Sequence, residues 1–288
     1  MSLKISIVTP SYNQVDFIEE TILSVLGQNY DNIEYIVIDG GSSDGSVDII
    51  KQYEKHINYW VSEPDRGQSH AINKGFEIAT GDILCWLNSD DCFLPGALSH
   101  VADLFQRNPK KDFLTGGWWV LEPDGSIAPV RPTGVGMLPS LALLLGHHGC
   151  IGQHSTFWRH ELFQKAGPIR EELNYAMDHE LWIRMFQSGA TPLITARNLA
   201  IYRQQPLQKT QHKGINGNSY YCECQKIMKD YRIKYGNLVQ FKSKFSARIY
   251  KLLKHRNIHP RLGLRPPLGF DIDYSEWLQG IKHDVIMQ

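Results

Sequence analysis

Several features that would indicate a specialised class of protein are missing from this sequence. The five cysteines are an odd number without the spacing of a disulfide framework or a zinc site, so we expect thiols in a reducing compartment. No apolar run is long enough to cross a membrane, and the stretch 137–145 is much too short. The first residues lack the apolar segment of a signal peptide, which predicts a cytoplasmic protein.

Neither sign of charge is in excess. Lysine and arginine number 30, as do aspartate and glutamate, so the net charge indicates no polyanionic partner and we expect no nucleic-acid binding. The sequence also lacks a Gly-x-x-x-x-Gly-Lys-Ser/Thr loop and a Gly-x-Gly-x-x-Gly motif after its first strand. Its pattern is therefore not that of a P-loop enzyme or a dinucleotide-dependent oxidoreductase. With 42% hydrophobic residues among 288, the chain is typical of a globular protein.

What the sequence does contain is a regular alternation of strand and helix patterns. Strand-like apolar runs occupy 5–9, 33–38, 57–61 and 83–87. Residues at helical spacing separate them, which predicts an α/β fold with a mostly parallel, Rossmann-like central sheet flanked by helices. We expect a further strand at 113–121, a helix that includes Pro95 in its first turn, and a helix that follows Asp178 and ends at Gly189.

Polar segments follow four of the predicted strands, at 9–13, 39–46, 63–67 and 88–91. Because the carboxyl ends of parallel strands meet at one edge of a sheet, these segments should form one crevice. Pro10 and Tyr12 could stack on a nucleobase, and Asp39 could accept a hydrogen bond from a base or a ribose. A turn-forming aspartate before two glycines explains Asp39 equally well.

Two adjacent acids, Asp90 and Asp91, follow the fourth strand. Their carboxylates repel each other, and burying such a pair without compensation is costly. Mg²⁺ or Mn²⁺ would relieve the repulsion, and these ions are commonly held by one or two carboxylates together with substrate phosphates. An aspartate pair at a helix N-terminus is the alternative that the local sequence leaves open.

The order of these motifs resembles glycosyltransferase family 2, whose members have the GT-A fold. The matching stretches are 5–13, 37–46, 73–75 with 79–81, 87–91 and 177–184, and together they extend over residues 4–205. The resemblance implies an enzyme that transfers a sugar from a nucleotide-sugar donor, most commonly a UDP-sugar, to a hydroxyl of a glycan or lipid-linked acceptor. It also implies inversion at the anomeric carbon and a role in cell-surface polysaccharide synthesis.

The resemblance further implies roles for individual residues. The donor-binding residues would be Thr9, Pro10, Tyr12, Asp39, Asp65, Arg66, Asn88, Ser89 and Asp90. Asp90 would be the ligand of Mn²⁺ or Mg²⁺, with Asp91 supporting it as a second metal residue. Asp178 would be the general base that deprotonates the acceptor hydroxyl.

The sequence departs from the family pattern at two positions. Asn88 stands where the family has the first aspartate of Asp-x-Asp, and Met177 precedes Asp178 where an acid is usual. These changes leave open a catalytically weak or inactive nucleotide-sugar-binding protein that acts as a scaffold on a membrane surface. A sugar nucleotidyltransferase would need a glycine-rich first loop with basic residues, which 9–13 lacks.

Other residues have two interpretations each. The histidines 147, 148 and 154 lack the spacing of a zinc site, and the stretch 153–157 resembles the family's acceptor side. Four tryptophans could form a sugar platform or pack in the core: Trp118, Trp119, Trp158 and Trp182. Arg203 and His212 could close over the diphosphate.

The last part of the chain differs in composition. We expect a GT-A domain at 1–215, divided into a nucleotide-binding half (1–110) and an acceptor half with the catalytic base (111–215). A basic helical extension would follow at 216–288. Within it, 238–256 predicts a basic amphipathic helix that could lie on an anionic membrane surface, bind a partner or pack on the core. The sequence does not indicate an oligomeric state.

Overall fold

The computed structural model describes residues 2–130, 144, 151–205, 208–209, 220–231, 279 and 282–283. The basic helix predicted at 238–256 and the residues His147, His148 and His212 lie outside this set. Within it, no helix is both long enough and apolar enough to span a membrane.

Strands and helices alternate through the first half of the chain, as the sequence predicts. The helices are α1 (Ile18–Leu26), α2 (Ser46–Gln52), α3 (Gln68–Ile78), α4 (Ala97–Arg107), α5 (His160–Ala166) and α6 (Met177–Gln187). The strands are β1 (Ile5–Ser11), β2 (Ile33–Asp39), β3 (Tyr59–Ser62), β4 (Ile83–Trp86), β5 (Cys92–Phe93), β6 (Phe113–Leu121), β7 (Ile127–Val130), β8 (Thr156–Arg159) and β9 (Pro192–Arg203). Short 3₁₀ turns lie at Glu54–His56 and Gln153–Ser155, and 220–231 is helical.

The described strands form one mixed sheet in the order β3-β2-β1-β4-β8-β6-β9-β5, with β7 paired to β6. The first four neighbours are parallel, as expected from their helical crossovers. Beyond β4, the strands β8, β5 and β7 pair antiparallel with their neighbours, while β6 and β9 are parallel. The α/β class is therefore confirmed, with a parallel half followed by a mixed half.

The central strands are buried on both faces because their alternate residues belong to different cores. Ile5 and Ile7 of β1 pack in one cluster with residues of α1 and α4, whereas Val8 packs in another with residues of α3 and α6. This is the period of two expected for a strand covered by helices on both sides. Trp158 and Trp182 are fully buried in the cluster that contains Val8, so for them the core-packing interpretation is confirmed.

Several element boundaries differ from the sequence prediction by one or more residues. β3 begins at Tyr59 rather than at 57, and α4 begins at Ala97, so that Pro95 precedes the helix instead of occupying its first turn. The cause is Gly96, which has φ +69° and acts as the N-cap of α4 in a left-handed conformation that favours glycine. The pattern also gave no sign of the long strand β9, most of whose residues are only partly buried.

At the amino edge of the parallel strands, Glu34 joins three segments. Its carboxylate accepts hydrogen bonds from Lys4 Nζ (2.6 Å), Ser6 Oγ (2.5 Å) and both the N–H and the hydroxyl of Thr80 (2.6 Å each). Burial by itself would raise the pKa of Glu34, but these hydrogen bonds outweigh it and lower the pKa to about 2. This network fixes the amino ends of β1, β2 and β4, opposite the edge where their polar segments lie.

Replacing Glu34 tests this network. Glu34→Gln should lower the free energy of unfolding at pH 7 by about 1–3 kcal/mol, because Lys4 and Thr80 lose a charged acceptor. The stabilisation from a lowered carboxyl pKa is fully present above the unfolded value of 4.5 and is lost progressively as the pH falls from there through about 2. In urea unfolding, the difference in the free energy of unfolding between the wild type and Glu34→Gln should therefore be smaller at pH 3 than at pH 7. Glu54→Gln, at an exposed position, is the control. An equal difference in the free energy of unfolding at pH 7 and pH 3 would contradict the role given to Glu34.

Candidate active site

A cavity of about 1130 Å³ lies where the parallel strands end. The ends of β1, β2, β3 and β4 contribute one wall, through 10–12, Gly40 and Gly41, 64–65 and 88–90. The other walls come from β6, the turn at 151–154, the start of α6 and the segment after β9. The structure therefore forms the crevice that the sequence predicts.

Seven of the eleven residues predicted for the site line this cavity: Pro10, Tyr12, Asp65, Asn88, Ser89, Asp90 and Asp178. The other four, Thr9, Asp39, Arg66 and Asp91, do not. For Thr9 and Asp39 the difference follows from strand geometry, since successive side chains of a strand point to opposite faces. Arg66 and Asp91 lie in loops, where no such alternation applies.

Thr9 and Asp39 are fully buried at the ends of β1 and β2. The carboxylate of Asp39 accepts the N–H groups of Gly41 (3.0 Å) and Ser42 (2.8 Å) and the hydroxyls of Ser42 (2.5 Å) and Ser62 (2.7 Å). Asp39 therefore shapes the loop after β2, as the turn interpretation predicts. The loop, rather than the Asp39 side chain, forms the surface of the cavity.

Tyr12 and Asp65 meet over the backbone of Gly40. A Cβ atom at position 40 would lie 2.6 Å from Asp65 Oδ2 and 3.3 Å from Tyr12 Cδ2, so a larger residue there would displace the Asp65 side chain. The Tyr12 side chain is 62% exposed, which is a large exposed fraction for an aromatic residue. Arg66, next in the chain, points away and pairs with Glu171 at 2.8 Å.

Asn88, which lines the cavity, and Asp91, which does not, belong to one hydrogen-bond network. Asn88 Nδ2 donates to Gln153 Oε1 (3.1 Å) and Asp91 Oδ2 (3.3 Å), while its Oδ1 accepts from Gln68 Nε2 (2.8 Å). Asp91 Oδ1 accepts the backbone N–H of Arg203 at 3.1 Å. Burial and then the neighbouring charge of Asp90 raise the pKa of Asp91 well above its usual range. The position of Asp91 thus fits a supporting residue and does not fit a metal ligand.

Asp90 lines the cavity. Gln205 Nε2 donates to Asp90 Oδ2 at 2.6 Å, and burial raises the pKa of the acid. Arg203 Nε donates to the Asp90 carbonyl (3.2 Å), and the same guanidinium pairs with Glu20 and stacks over Phe17. Arg203 therefore supports the acid pair through hydrogen bonds and does not line the cavity. This position differs from the expectation that Arg203 closes over a diphosphate.

The donor set around Asp90 fits one particular kind of metal site. Within the described ranges, no three histidine, cysteine or acidic side chains cluster as metal ligands. Asp90 is the carboxylate available at this end of the cavity, since the oxygens of Asp91 and Asn88 are already engaged. One carboxylate in an open cavity suits a hard divalent ion that completes its shell with phosphate oxygens and water.

Asp178 lines the same cavity as Asp90, from the start of α6. Ala176 is the N-cap, so Asp178 is the second helical residue and does not cap the helix. Its Oδ1 accepts the N–H of His179 at 2.7 Å. Burial, with a smaller contribution from the negative charge of Glu223, raises the pKa of Asp178 to about 6. A carboxylate with such a pKa is ionised at neutral pH, and it binds a proton more strongly than an ordinary aspartate does, as a general base requires.

An aromatic wall extends the cavity. The ring of His154 lies 5.0 Å from that of Trp118 and is stacked at 5.1 Å on Tyr202. His154 is only 8% exposed, and burial lowers its pKa to about 3, so the ring is neutral. The sequence indicated Trp118 and His154 as candidates but gave no signal for Tyr202.

The sequence also gave no signal for Gln205 and Lys209, which follow β9 and line the cavity. Lys209 Nζ donates to Gln68 Oε1 at 3.5 Å. Burial lowers the pKa of Lys209, against the opposing effect of the charge of Asp65. Glutamine and lysine in a loop carry no local pattern, so only the fold reveals them.

The architecture is that of the GT-A glycosyltransferases. S. aureus TarS 1–349 in complex with UDP-GlcNAc matches with a TM-score of 0.65 at 15% identity, over 98% of this chain and 80% of that one. The mannosyltransferase PcManGT from Pyrobaculum calidifontis, in complex with GDP-Man and Mn²⁺, matches with a TM-score of 0.57 at 14% identity, over 100% of this chain and 86% of that one.

The sequence places the chain within one family of this class. The model of glycosyl transferase family 2 matches residues 6–163, more than half of the chain. The protein therefore belongs to glycosyltransferase family 2.

Two relatives have only general names. An uncharacterized glycosyltransferase of Rickettsia conorii is 30% identical over 195 residues, which is 64% of this chain and 31% of that protein. One of Mycobacterium tuberculosis is 32% identical over 184 residues, covering 62% of this chain and 68% of that protein. The chain thus spans less than a third of the length of the Rickettsia relative.

The neutral state of His154 is open to direct measurement. In histidine-labelled protein, the His154 ring should stay neutral from pH 7 to pH 5, because burial opposes its protonation and its pKa lies near 3 instead of 6.5. NMR titration follows the ring, and His154→Phe, which keeps an aromatic ring between Trp118 and Tyr202, assigns the signal. Titration near pH 6.5 would show that the ring is open to water.

Proposed function

We propose that this protein is an inverting, metal-assisted glycosyltransferase that transfers a sugar from a nucleoside diphosphate sugar to a hydroxyl of a glycan or lipid-linked acceptor. One observation carries the proposal: Asp90 and Asp178, a candidate cation ligand and a candidate base, open onto the same cavity. Synthesis of a cell-surface polysaccharide is the process in which such a transfer fits.

The donor nucleotide fits the wall formed by Tyr12, Gly40 and Asp65. The exposed Tyr12 ring offers a face for stacking on a base, and Asp65 offers an acceptor for its N–H groups. The likeness to TarS, crystallised with UDP-GlcNAc, supports a UDP-sugar as the first donor to test. The residues 1–110 would then hold the nucleotide, and 111–215 would hold the acceptor and the base.

Asp90 is the residue that would hold Mn²⁺ or Mg²⁺ beside the diphosphate. The bound ion supplies a Lewis acid for the negative charge that develops on the leaving diphosphate. Gln205 holds one oxygen of Asp90 and the Arg203 side chain holds its carbonyl, so the carboxylate is oriented before a ligand arrives. The ammonium of Lys209 offers a further positive charge on the same cavity. The likeness to PcManGT, crystallised with Mn²⁺, supports this assignment.

Asp178 would act as the general base. An alcohol has a high pKa, so its proton must leave as the new C–O bond forms, and a carboxylate in contact with the hydroxyl can accept it. The acceptor oxygen then attacks the anomeric carbon from the side opposite the diphosphate, which inverts the configuration. The wall of Trp118, His154 and Tyr202 borders this part of the cavity and would exclude water from the reaction.

The alternative function, a weak or inactive nucleotide-sugar binder that acts as a membrane-surface scaffold, is favoured by one observation. Asn88 takes the place of an acid, and its amide is occupied by Gln68, Asp91 and Gln153. An active enzyme should release nucleoside diphosphate slowly from its donor even without an acceptor, whereas a scaffold should only bind it.

Cation-dependent nucleotide binding tests the role of Asp90. At a UDP concentration of about 100 times its Kd in the presence of Mn²⁺, adding Mn²⁺ should raise the melting temperature of the protein by about 5–10 °C. Asp90→Asn should lose most of the part that depends on Mn²⁺, because the amide lacks the negative charge that attracts the ion. The exposed Asp48→Asn is the matched control and should respond like the wild type. A full Mn²⁺ response in Asp90→Asn would contradict the assignment.

Donor turnover tests the role of Asp178. Across a panel of UDP-, GDP- and dTDP-sugars, Asp178→Asn should lower the release of nucleoside diphosphate by about 10²–10⁴-fold without weakening nucleotide binding. In the wild type, the rate should rise with pH through about 6 and then level off, since the base works only when deprotonated. Glu161→Gln, at an exposed position on α5, is the control. Retained turnover, or lost nucleotide affinity, would argue against a base at this position.

A further inference from the structure

The helical segment 220–231 holds the start of α6 through one carboxylate. Glu223 Oε1 accepts the N–H of Asn174 at 3.1 Å, and its Oε2 accepts those of Tyr175 and Ala176 at 2.7 and 2.6 Å. These are three consecutive backbone donors just before the helix that carries Asp178. Ala176, the N-cap of α6, has no side chain that could satisfy them. A carboxylate there is also favoured by the positive end of the helix dipole.

Glu223 has a fixed position because its own segment is anchored in the core. Cys224, Ile227 and Met228 are buried in the cluster that contains Leu181 and Trp182 of α6. Eight residues after Glu223, the Tyr231 hydroxyl donates to Glu180 Oε1 at 2.6 Å. The segment therefore holds the turn before α6 through Glu223, contacts α6 itself through Tyr231, and packs on it with apolar residues between these two.

We propose that Glu223 is a positioning residue that holds the turn 174–176 and thereby aims the Asp178 carboxylate into the cavity. Asn174, Tyr175 and Asp178 line the cavity, whereas Glu223 does not, so its effect passes through the turn. The inference rests on the proposed role of Asp178 as the base.

Glu223 also acts on Asp178 through its charge. Burial is the main cause that raises the pKa of Asp178, and the negative charge of Glu223 raises it further. The other titratable groups on the same helix or lining the cavity are His179, Glu180, Arg184, Tyr12, Asp65, Asp90, His154, Tyr175, Tyr202, Lys209 and Tyr220. A change in the charge of Glu223 should therefore appear in the titration of Asp178, which a merely structural role would not move.

The test compares Glu223→Gln with Tyr231→Phe. Glu223→Gln removes the charge and keeps the shape of the side chain. Tyr231→Phe removes the hydrogen bond to Glu180 and keeps the charge of Glu223. NMR of ¹³C-aspartate-labelled protein, with Asp178→Asn for assignment, should show the Asp178 pKa about half a unit lower in Glu223→Gln and unchanged in Tyr231→Phe. For donor hydrolysis, kcat should fall about 10–100-fold in Glu223→Gln with KM unchanged.

The outcomes separate this inference from the proposed function. If no donor is hydrolysed by the wild type, the proposed function fails, and the NMR titration still decides the influence of Glu223. An Asp178 pKa equal to that of the wild type in Glu223→Gln, or the same shift in Tyr231→Phe, overturns the inference. Should Glu223→Gln not fold, Glu223→Asp replaces it: the shorter acid should lower kcat at constant KM, and an unchanged kcat overturns the inference.

Discussion

The structure depends on how it accommodates two adjacent acids at the end of its fourth strand. Two buried carboxylates side by side are costly unless each finds partners. The protein satisfies Asp91 internally, through the N–H of Arg203 and the amide of Asn88. Among the described residues, the side-chain partner of the Asp90 carboxylate is Gln205, which donates to one oxygen. Asp90 lines the cavity, where a cation can complete the compensation.

The same acid pair joins the two halves of the sheet. Thr21 of α1 donates to the Asp91 carbonyl (2.8 Å), and β5, which begins at the next residue, pairs with β9. β9 then delivers Arg203 and Gln205 to the acids, and the chain returns at 220–231 to hold α6. The residues proposed for donor binding, leaving-group stabilisation and proton transfer thus come from segments that are far apart in sequence and meet around one cavity.

The sequence predicted the parts of the molecule that have a local pattern. Alternating apolar runs predicted β1, β2 and β4, and the strand-end rule placed Tyr12, Asp65 and Asp90 at one edge. The pattern could not tell which strand-end residues point inward, so Asp39 and Asp91 were assigned to the site although their carboxylates are turned into the protein. β9 and Glu223 could not be predicted, because their partners lie many residues away and nothing in their own neighbourhood indicates them.

The central claim is that one cavity holds a donor diphosphate and a cation at Asp90 while Asp178 faces the anomeric carbon. A crystal structure of the protein with Mn²⁺ and a non-hydrolysable UDP-sugar tests it most directly. The expected result is Mn²⁺ beside both the diphosphate and Asp90, with the nucleobase next to Tyr12. The Asp178 carboxylate should lie on the side of the anomeric carbon opposite the diphosphate. A nucleotide bound outside this cavity, or an Asp178 carboxylate turned away from the sugar, would contradict it.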